Sequence, residues 1–340
     1  MVQSTSRLGG TASNVVVGKI AHGLMMITKV SDEEAFEAIK AGVDALPPGA
    51  KMALNSGEFY APDFSTANLK LLARFYDRYP EYAEKTFLSV MGGLTPSVGA
   101  IGQPLASPEN LRRSIDTINA ALRGTKKVDL FQCARVDPSI PIAEQVKVMA
   151  ELSKEGKFDH IGLSECKAET LRRAHAVHPI AIVEIEVSIW TYEEETKKVI
   201  AAAKELGVAV AGYSPMGRGF LTGSIQTVDD LPAGDTRRNM TRFKEDYLKA
   251  NKAIVDELKA LAAKKNITPA QLAIAWVGSR GDHVIPVPGS SVKKRTLENI
   301  AAGDIVLSEA DQAEIANIIA THEVKGDRYF GNNDRVHLWG

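Results

Sequence analysis

The sequence predicts a single (β/α)8 TIM barrel, an α/β fold in one domain over residues 1–340, with a long loop after the seventh strand and a C-terminal tail near the barrel mouth. Eight short apolar or β-branched runs alternate with longer amphipathic runs from end to end. No Pro/Gly/Ser-rich linker or composition break divides the chain, and 340 residues at 44% hydrophobic suffice to bury one large core. Repeated strand–helix units make parallel sheet, and eight of them fit a closed barrel better than an open doubly wound sheet.

In order, the predicted strands are "GKIAHGL", "KMALNSG", "TFLSVMG", "VDLFQCARV", "HIGLSE", "AIVEIEVS", "VAVAGYSP" and "HVIPVPGS". The helices between them carry start signals: Ser31 before "DEEAF", Ser107-Pro108-Glu109 before "NLRRSIDTINAAL", and Thr268-Pro269 before "AQLAIAWV". From Met216 to Phe243 a stretch rich in Gly, Thr, Asp and Arg interrupts the alternation, too long for an ordinary barrel connection and therefore expected to be functional. The tail "EVKGDRYFGNNDRVHLWG" is expected either to fold over the mouth or to pack on the flank.

Forty-one basic and 42 acidic residues leave a formal net charge of -1, so no overall field draws the chain to nucleic acid or to an anionic membrane; the expected partner is a small molecule. Cys133 and Cys166 form no CxxC or Cys/His cluster, which argues against a disulfide framework and a zinc site. No apolar run reaches the roughly 18 residues of a membrane span, and the polar start lacks a signal-peptide centre. The cytoplasm is the expected compartment, with the sequons at Asn239 and Asn266 unused.

A barrel puts its chemistry at the carboxyl ends of the strands. Those ends carry His22 and Gly23, Asn55 to Tyr60, Met91, Ala134 and Arg135, Ser164 and Glu165, Glu184, Tyr213 and Ser290, several of them polar in otherwise apolar runs. Met91, in "FLSVMGG", is the odd member, an apolar side chain where a buried strand opens into a loop.

Five motifs in register, "NSGEFY", "DLFQCARVDP", "IGLSE", "YSPMGRGFLTG" and "IPVPGSSVKKRTLENI", resemble the motif series of the aldo-keto reductases over nearly the whole chain. Within that family "GEFY", "ARVDP" and "AHGLMM" are most similar to the fungal pyridoxal reductase-like branch. The resemblance implies a barrel that binds NADPH (NADP) and delivers hydride to a carbonyl while a tyrosine supplies the proton. The family's Asp, Tyr, Lys and His fall on Asn55, Tyr60, Met91 and Ala134, so only the tyrosine is kept.

Those departures have a physical meaning. A phenol of pKa about 10 is a poor acid near neutrality unless a close ammonium favours the phenolate, and a buried ammonium needs a carboxylate to balance it. Asn55 and Met91 remove both together. Methionine nearly matches lysine in length, so shape persists while charge is deleted. Asn55 and Ala134 fit the branch, whereas Met91 departs even from its usual lysine; natural loss and engineered inactivation both stay open. Lys29, after the first strand, and Arg135, beside the lost histidine, are considered as replacement cations and read as a solvated lysine and an outward-pointing arginine.

The cofactor positions are better kept. The resemblance makes Tyr213 the aromatic that stacks on the nicotinamide and Ser164, Glu165 and Glu184 the carboxamide ligands, with glutamates where Asn and Gln are usual. Ser214, Pro215, Met216, Gly217, Arg218 and Gly219 offer backbone N–H groups and a guanidinium to a pyrophosphate. Ser290, Ser291, Lys293, Lys294 and Arg295 at a helix start suit a 2′-phosphate, favouring NADP over NAD, and Glu298 and Asn299 match the adenine-contacting pair. The leading expectation is an NADPH-dependent reductase of a small aldehyde or ketone, pyridoxal-like or otherwise aromatic, with a degenerate tetrad. A cofactor-binding protein with little turnover and a non-redox enzyme on the same barrel remain the alternatives.

Overall fold

The computed structural model describes residues 1–97, 101–331 and 338–340. Ten strands occur among them: β1 (Thr5–Arg7), β2 (Val16–Gly18), β3 (His22–Gly23), β4 (Met52–Gly57), β5 (Thr86–Gly92), β6 (Leu130–Cys133), β7 (His160–Ser164), β8 (Ile182–Glu186), β9 (Ala209–Tyr213) and β10 (Val284–Val287). The eight from β3 to β10 form one parallel sheet in sequential order. A parallel bridge between Gly23 and Gly289, with the Gly23 amide donating to the Pro288 carbonyl at 3.0 Å, brings the first strand to the last and closes the barrel. The predicted first strand is shorter than expected, since only His22–Gly23 of that run joins the barrel ladder.

The antiparallel hairpin of β1 and β2 was not foreseen from the sequence. Leu8, Ala12 and Val17 from this region pack with Ala53, Phe87, Leu130, Ile182, Ala209 and Ile285, so the hairpin plugs the amino end of the barrel. Gly9 is required there, because a Cβ at this position would lie 2.2 Å from the Gly207 carbonyl oxygen. A floor of this kind leaves only the carboxyl ends of the strands as an entrance.

The helix starts follow the capping chemistry read from the sequence. Ser31 and Glu34 form a reciprocal capping box on α1 (Asp32–Asp44), and Ser107 caps a later helix, Pro108–Leu122, whose first position is proline. Thr268 and Gln271 do the same for the helix Pro269–Gly278. The stretch after β9 folds into four short 3-10 turns rather than open loop, anchored where Trp190 stacks on Phe220 with ring centroids 4.5 Å apart.

The tail crosses the mouth. The Thr241 amide donates to the Tyr329 carbonyl at 2.6 Å, Arg242 Nε donates to the Gly326 carbonyl at 3.0 Å, and Asn251 exchanges two hydrogen bonds with the backbone of Lys325. The post-β9 stretch is thus the seat of the tail; residues 332–337 of the tail lie outside the described residues. No helix among the described residues is long and apolar enough to cross a membrane.

Candidate active site

Two clusters share the mouth. The first gathers the four expected catalytic positions. Asn55 comes from β4, Met91 from β5 and Ala134 from just past β6, while Tyr60 is supplied by the loop after β4. All four are buried, and Tyr60, Met91, Ala134 and Leu94 pack together with Phe59 against them. Gly57 allows this, since a Cβ there would meet the Tyr60 ring at 2.8 Å. The loop is held by Glu58, whose backbone amide donates to the Met91 carbonyl and whose carboxylate pairs with Arg113 at 2.6 Å.

The Tyr60 hydroxyl points at Met91 Sδ, 3.5 Å away. Burial pushes its pKa up, and the charge of Glu184 adds to this; Arg135 opposes it. Asn55 does not pair with position 91. Its Nδ2 donates to Glu184 Oε2 at 2.6 Å, and Gln132 Nε2 donates to the same oxygen at 2.6 Å. Burial pushes the Glu184 carboxyl up to about 7, the two amide donors only partly offsetting it. Gln132 was missed by the sequence reading, although a glutamine inside "DLFQC" on an inward-facing strand position was a visible signal.

The second cluster lies two residues further along β8. Glu186, 1% exposed, accepts from Arg218 Nη2 at 2.8 Å and from Arg328 Nη2 at 3.2 Å. Burial would raise its pKa, but Arg218 and Arg328 overcome that and hold it down at about 2. Glu165, also buried, pairs with Arg328 at 2.8 Å and accepts from the Tyr213 hydroxyl at 2.6 Å. The Arg218 guanidinium lies 4.4 Å from the Tyr329 ring centroid. The guanidinium of Arg218, expected to serve a pyrophosphate, is thus engaged by Glu186 and Tyr329. Glu186, Arg328 and Tyr329 were not foreseen.

Backbone strain concentrates here. Glu165, Ser214 and Arg218 have φ of 51°, 52° and 56°, left-handed values that cost a non-glycine residue of the order of 1–3 kcal/mol. The surroundings must over-determine them, and at Glu165 its own amide donates to the Glu184 carbonyl while its carbonyl accepts from the Gly340 amide.

Of the two replacement cations considered, Lys29 is exposed and its charge bears on Asp235 of the post-β9 stretch. Arg135 does not point away as strand alternation predicts, because β6 ends at Cys133 and the alternation with it. Its Nη1 donates back to the Ala134 carbonyl at 2.5 Å, which brings a guanidinium beside the Tyr60 cluster. Cys133 and Cys166 are buried free thiols, each pushed by burial to about 12.

Around the rest of the mouth, Ser164 is 1% exposed and its buried Oγ has no hydrogen-bond partner among the described residues. Such an orphan, beside Glu184 in the β7–β8 register, is the kind of group a ligand amide satisfies. Beyond β10, the helix Lys293–Ala301 begins without a side-chain cap at Val292, with Lys293, Lys294 and Arg295 exposed in its first turn and Ser291 half-buried just before it. Uncapped N–H groups beside three cations fit an anionic group. Ser290 is buried and bonds to Thr296, Asn299 is buried in the same helix, and Glu298 accepts from Thr268 Oγ1 at 2.7 Å. In donor type, the orphaned Ser164 hydroxyl suits a carboxamide and this helix start an anionic group, so the residues present fit a nicotinamide dinucleotide.

The sequence model of the Aldo/keto reductase family matches residues 19–320. The chain belongs to that family, whose members carry out nicotinamide-linked redox chemistry on carbonyl compounds. Among its relatives, the Schizosaccharomyces pombe protein named "Probable pyridoxal reductase 2" is 34% identical over 322 residues, 92% of this chain and 95% of that one. An aldo-keto reductase of Strobilurus tenacellus is 40% identical over 244 residues, 71% of each chain. In fold, a glycerol dehydrogenase from Gluconobacter oxydans superposes with a TM-score of 0.80 at 20% identity, covering 96% of this chain and 98% of its own.

Proposed function

We propose that the protein is an NADPH-dependent reductase of a small aldehyde or ketone, pyridoxal-like or otherwise aromatic, working with Tyr60 as proton donor in a site stripped of its usual charges. The observation that carries the reading is the placement of Tyr60: its hydroxyl is buried against Met91, at the end of the barrel where Ser164, Glu184 and Tyr213 also gather. Ser164 and Glu184 would hold the carboxamide, Tyr213 would face the ring, and the turn from Ser214 to Gly219 would line the pyrophosphate path. Ser290, Ser291, Lys294, Arg295, Glu298 and Asn299 would hold the 2′-phosphate and adenine end, favouring NADPH over NADH. The cofactor, when bound, supplies a hydride.

The protein's part is to orient the carbonyl and give a proton to its oxygen. Tyr60 is the buried acid next to the apolar wall of Met91, Ala134, Leu94 and Phe59. That wall suits an aromatic carbonyl better than a polar one. With the Tyr60 pKa raised rather than lowered, proton transfer is slow, and Arg135 is the cation that favours it. NADPH fluorescence titration followed by NADPH oxidation over a panel of aromatic and aliphatic aldehydes tests the reading. Binding together with turnover is the expected result.

The raised Tyr60 pKa also favours a second reading, a protein that binds NADPH with little turnover. Tight binding with no oxidation of NADPH by any aldehyde would select it.

A further inference from the structure

We infer that Arg328, delivered by the tail, is a positioning residue of the nicotinamide end: it fixes Glu165 and the Tyr213 hydroxyl so that the Tyr213 ring stands ready for the cofactor. The inference rests on the proposed reading that this end of the barrel binds a nicotinamide dinucleotide.

The Arg328 side chain is 2% exposed and uses all three of its nitrogens. Nη2 donates to Glu165 Oε1 at 2.8 Å, to Glu186 Oε2 at 3.2 Å and to the Tyr213 hydroxyl at 3.2 Å. Nη1 reaches Glu165 Oε2 and Nε reaches Glu186 Oε2, both at 3.3 Å. One planar fork thus spans two carboxylates and a phenol, a geometry that lysine cannot reproduce. The Tyr213 hydroxyl donates to Glu165 and also meets the Tyr329 hydroxyl at 2.9 Å. Among the described residues, the hydrogen bonds of the Tyr213 hydroxyl therefore run to Glu165 or to the tail.

Charge decides what removal does. Glu165 and Glu186 are buried side by side, with the Glu186 amide donating to Glu165 Oε1 at 3.1 Å. Arg218 serves Glu186, while Arg328 alone forms an ion pair with Glu165 among the described residues. Without Arg328, Glu165 loses its ion-pair partner, and the carboxylate that accepts from the Tyr213 hydroxyl is no longer held in place. The anion end at Lys293–Arg295, beyond β10, shares none of these contacts.

That separation supplies the test. 2′,5′-ADP carries the adenine and 2′-phosphate but no nicotinamide, so its affinity reads the far end alone. In R328M the NADPH affinity should fall by at least about tenfold, the scale of a charge-assisted hydrogen bond, while 2′,5′-ADP stays within about twofold. R328K should fall between wild type and R328M. Should R328M not fold, the double variant E165Q/R328M removes both charges and should show the same split between the two ligands. Equal losses for both ligands would mean a merely structural role, and unchanged or tighter NADPH binding would mean that the tail supports nothing or blocks the site; each overturns the inference. Wild-type protein that binds neither ligand would defeat the cofactor reading, and this inference with it.

Discussion

Glu184 and Glu186 stand two residues apart on one strand and face the same mouth, yet they are acids of opposite character. Glu184 meets two neutral amides and is pushed up to about 7, whereas Glu186 meets two guanidinium groups and is held at about 2. Burial is complete for both, so burial does not distinguish them; the partners do. The side around Tyr60 carries the uncharged Asn55, Met91 and Ala134, where the family resemblance leads one to expect Asp, Lys and His. The tail side carries charges and pairs them. A buried charge survives only with its counter-ion, and the two halves show both ways of obeying that rule.

The largest expected effect comes from Tyr60, the proposed proton donor on the uncharged side. Tyr60→Phe keeps the ring and removes the hydroxyl, so NADPH affinity should hold while aldehyde turnover falls by about 10²–10⁴-fold. Steady-state rates with NADPH titration on the same samples check it. A measurable wild-type rate unaltered in this variant would remove Tyr60 from the mechanism.

On the paired side, Glu186→Gln leaves Arg218 and Arg328 facing a neutral amide. Breaking a buried pair in this way costs about 3–5 kcal/mol, which chemical denaturation at pH 7 would read. The wild-type contribution has its own window. A carboxyl whose folded pKa lies below its unfolded value stabilises fully above pH 4.5, and that stability is lost as pH falls toward 2.

Glu184 should show the reverse. Its folded pKa of about 7 lies above the unfolded 4.5, so the folded chain holds an extra proton between those values and stability declines as pH rises through the window. The difference of about 2.5 units corresponds to about 3 kcal/mol. Glu184→Gln can still accept both amide donors without carrying a charge, so it should match wild type near pH 4.5 and exceed it by up to that amount at pH 8. Denaturation curves of the two proteins across this range give the answer; parallel curves would mean that Glu184 is not held as a raised acid.

The uncharged side was more legible in the sequence than the paired one. Asn55, Tyr60, Met91 and Ala134 sit at or just beyond strand ends inside local motifs, and strand order alone brings them together. Arg328 reaches Glu186 across 142 residues and Glu165 across 163, and no local pattern in "KGDRYF" announces either partner. The eight strands and the capped helices were readable because period and capping are local. Barrel closure through a two-residue first strand was not, nor was the floor hairpin, whose strands are three residues each.

The smallest expected effect also probes the comparison most directly, by adding one charge to the uncharged side. Met91→Lys extends an ammonium of nearly the same reach past the point where Sδ now meets the Tyr60 hydroxyl. It would stabilise the phenolate and so lower the Tyr60 pKa, raising kcat/KM for aldehydes at pH 7 by roughly tenfold. Position 55 offers it no counter-ion, since Asn55 is neutral and donates to Glu184. The nearest carboxyl in that network is Glu184 itself, and an ammonium should draw it toward the ionised form. The stability window of Glu184 would then move to lower pH, visible in the denaturation curves even without turnover. A gain in rate with that shift would mean that this side accepts a charge pair, with Glu184 in the part that the resemblance gives to an aspartate. A shift without a gain would leave the ammonium seated but the acid misplaced. If neither changes, the ammonium has turned away, and packing around Met91 rather than the missing charge now limits the site.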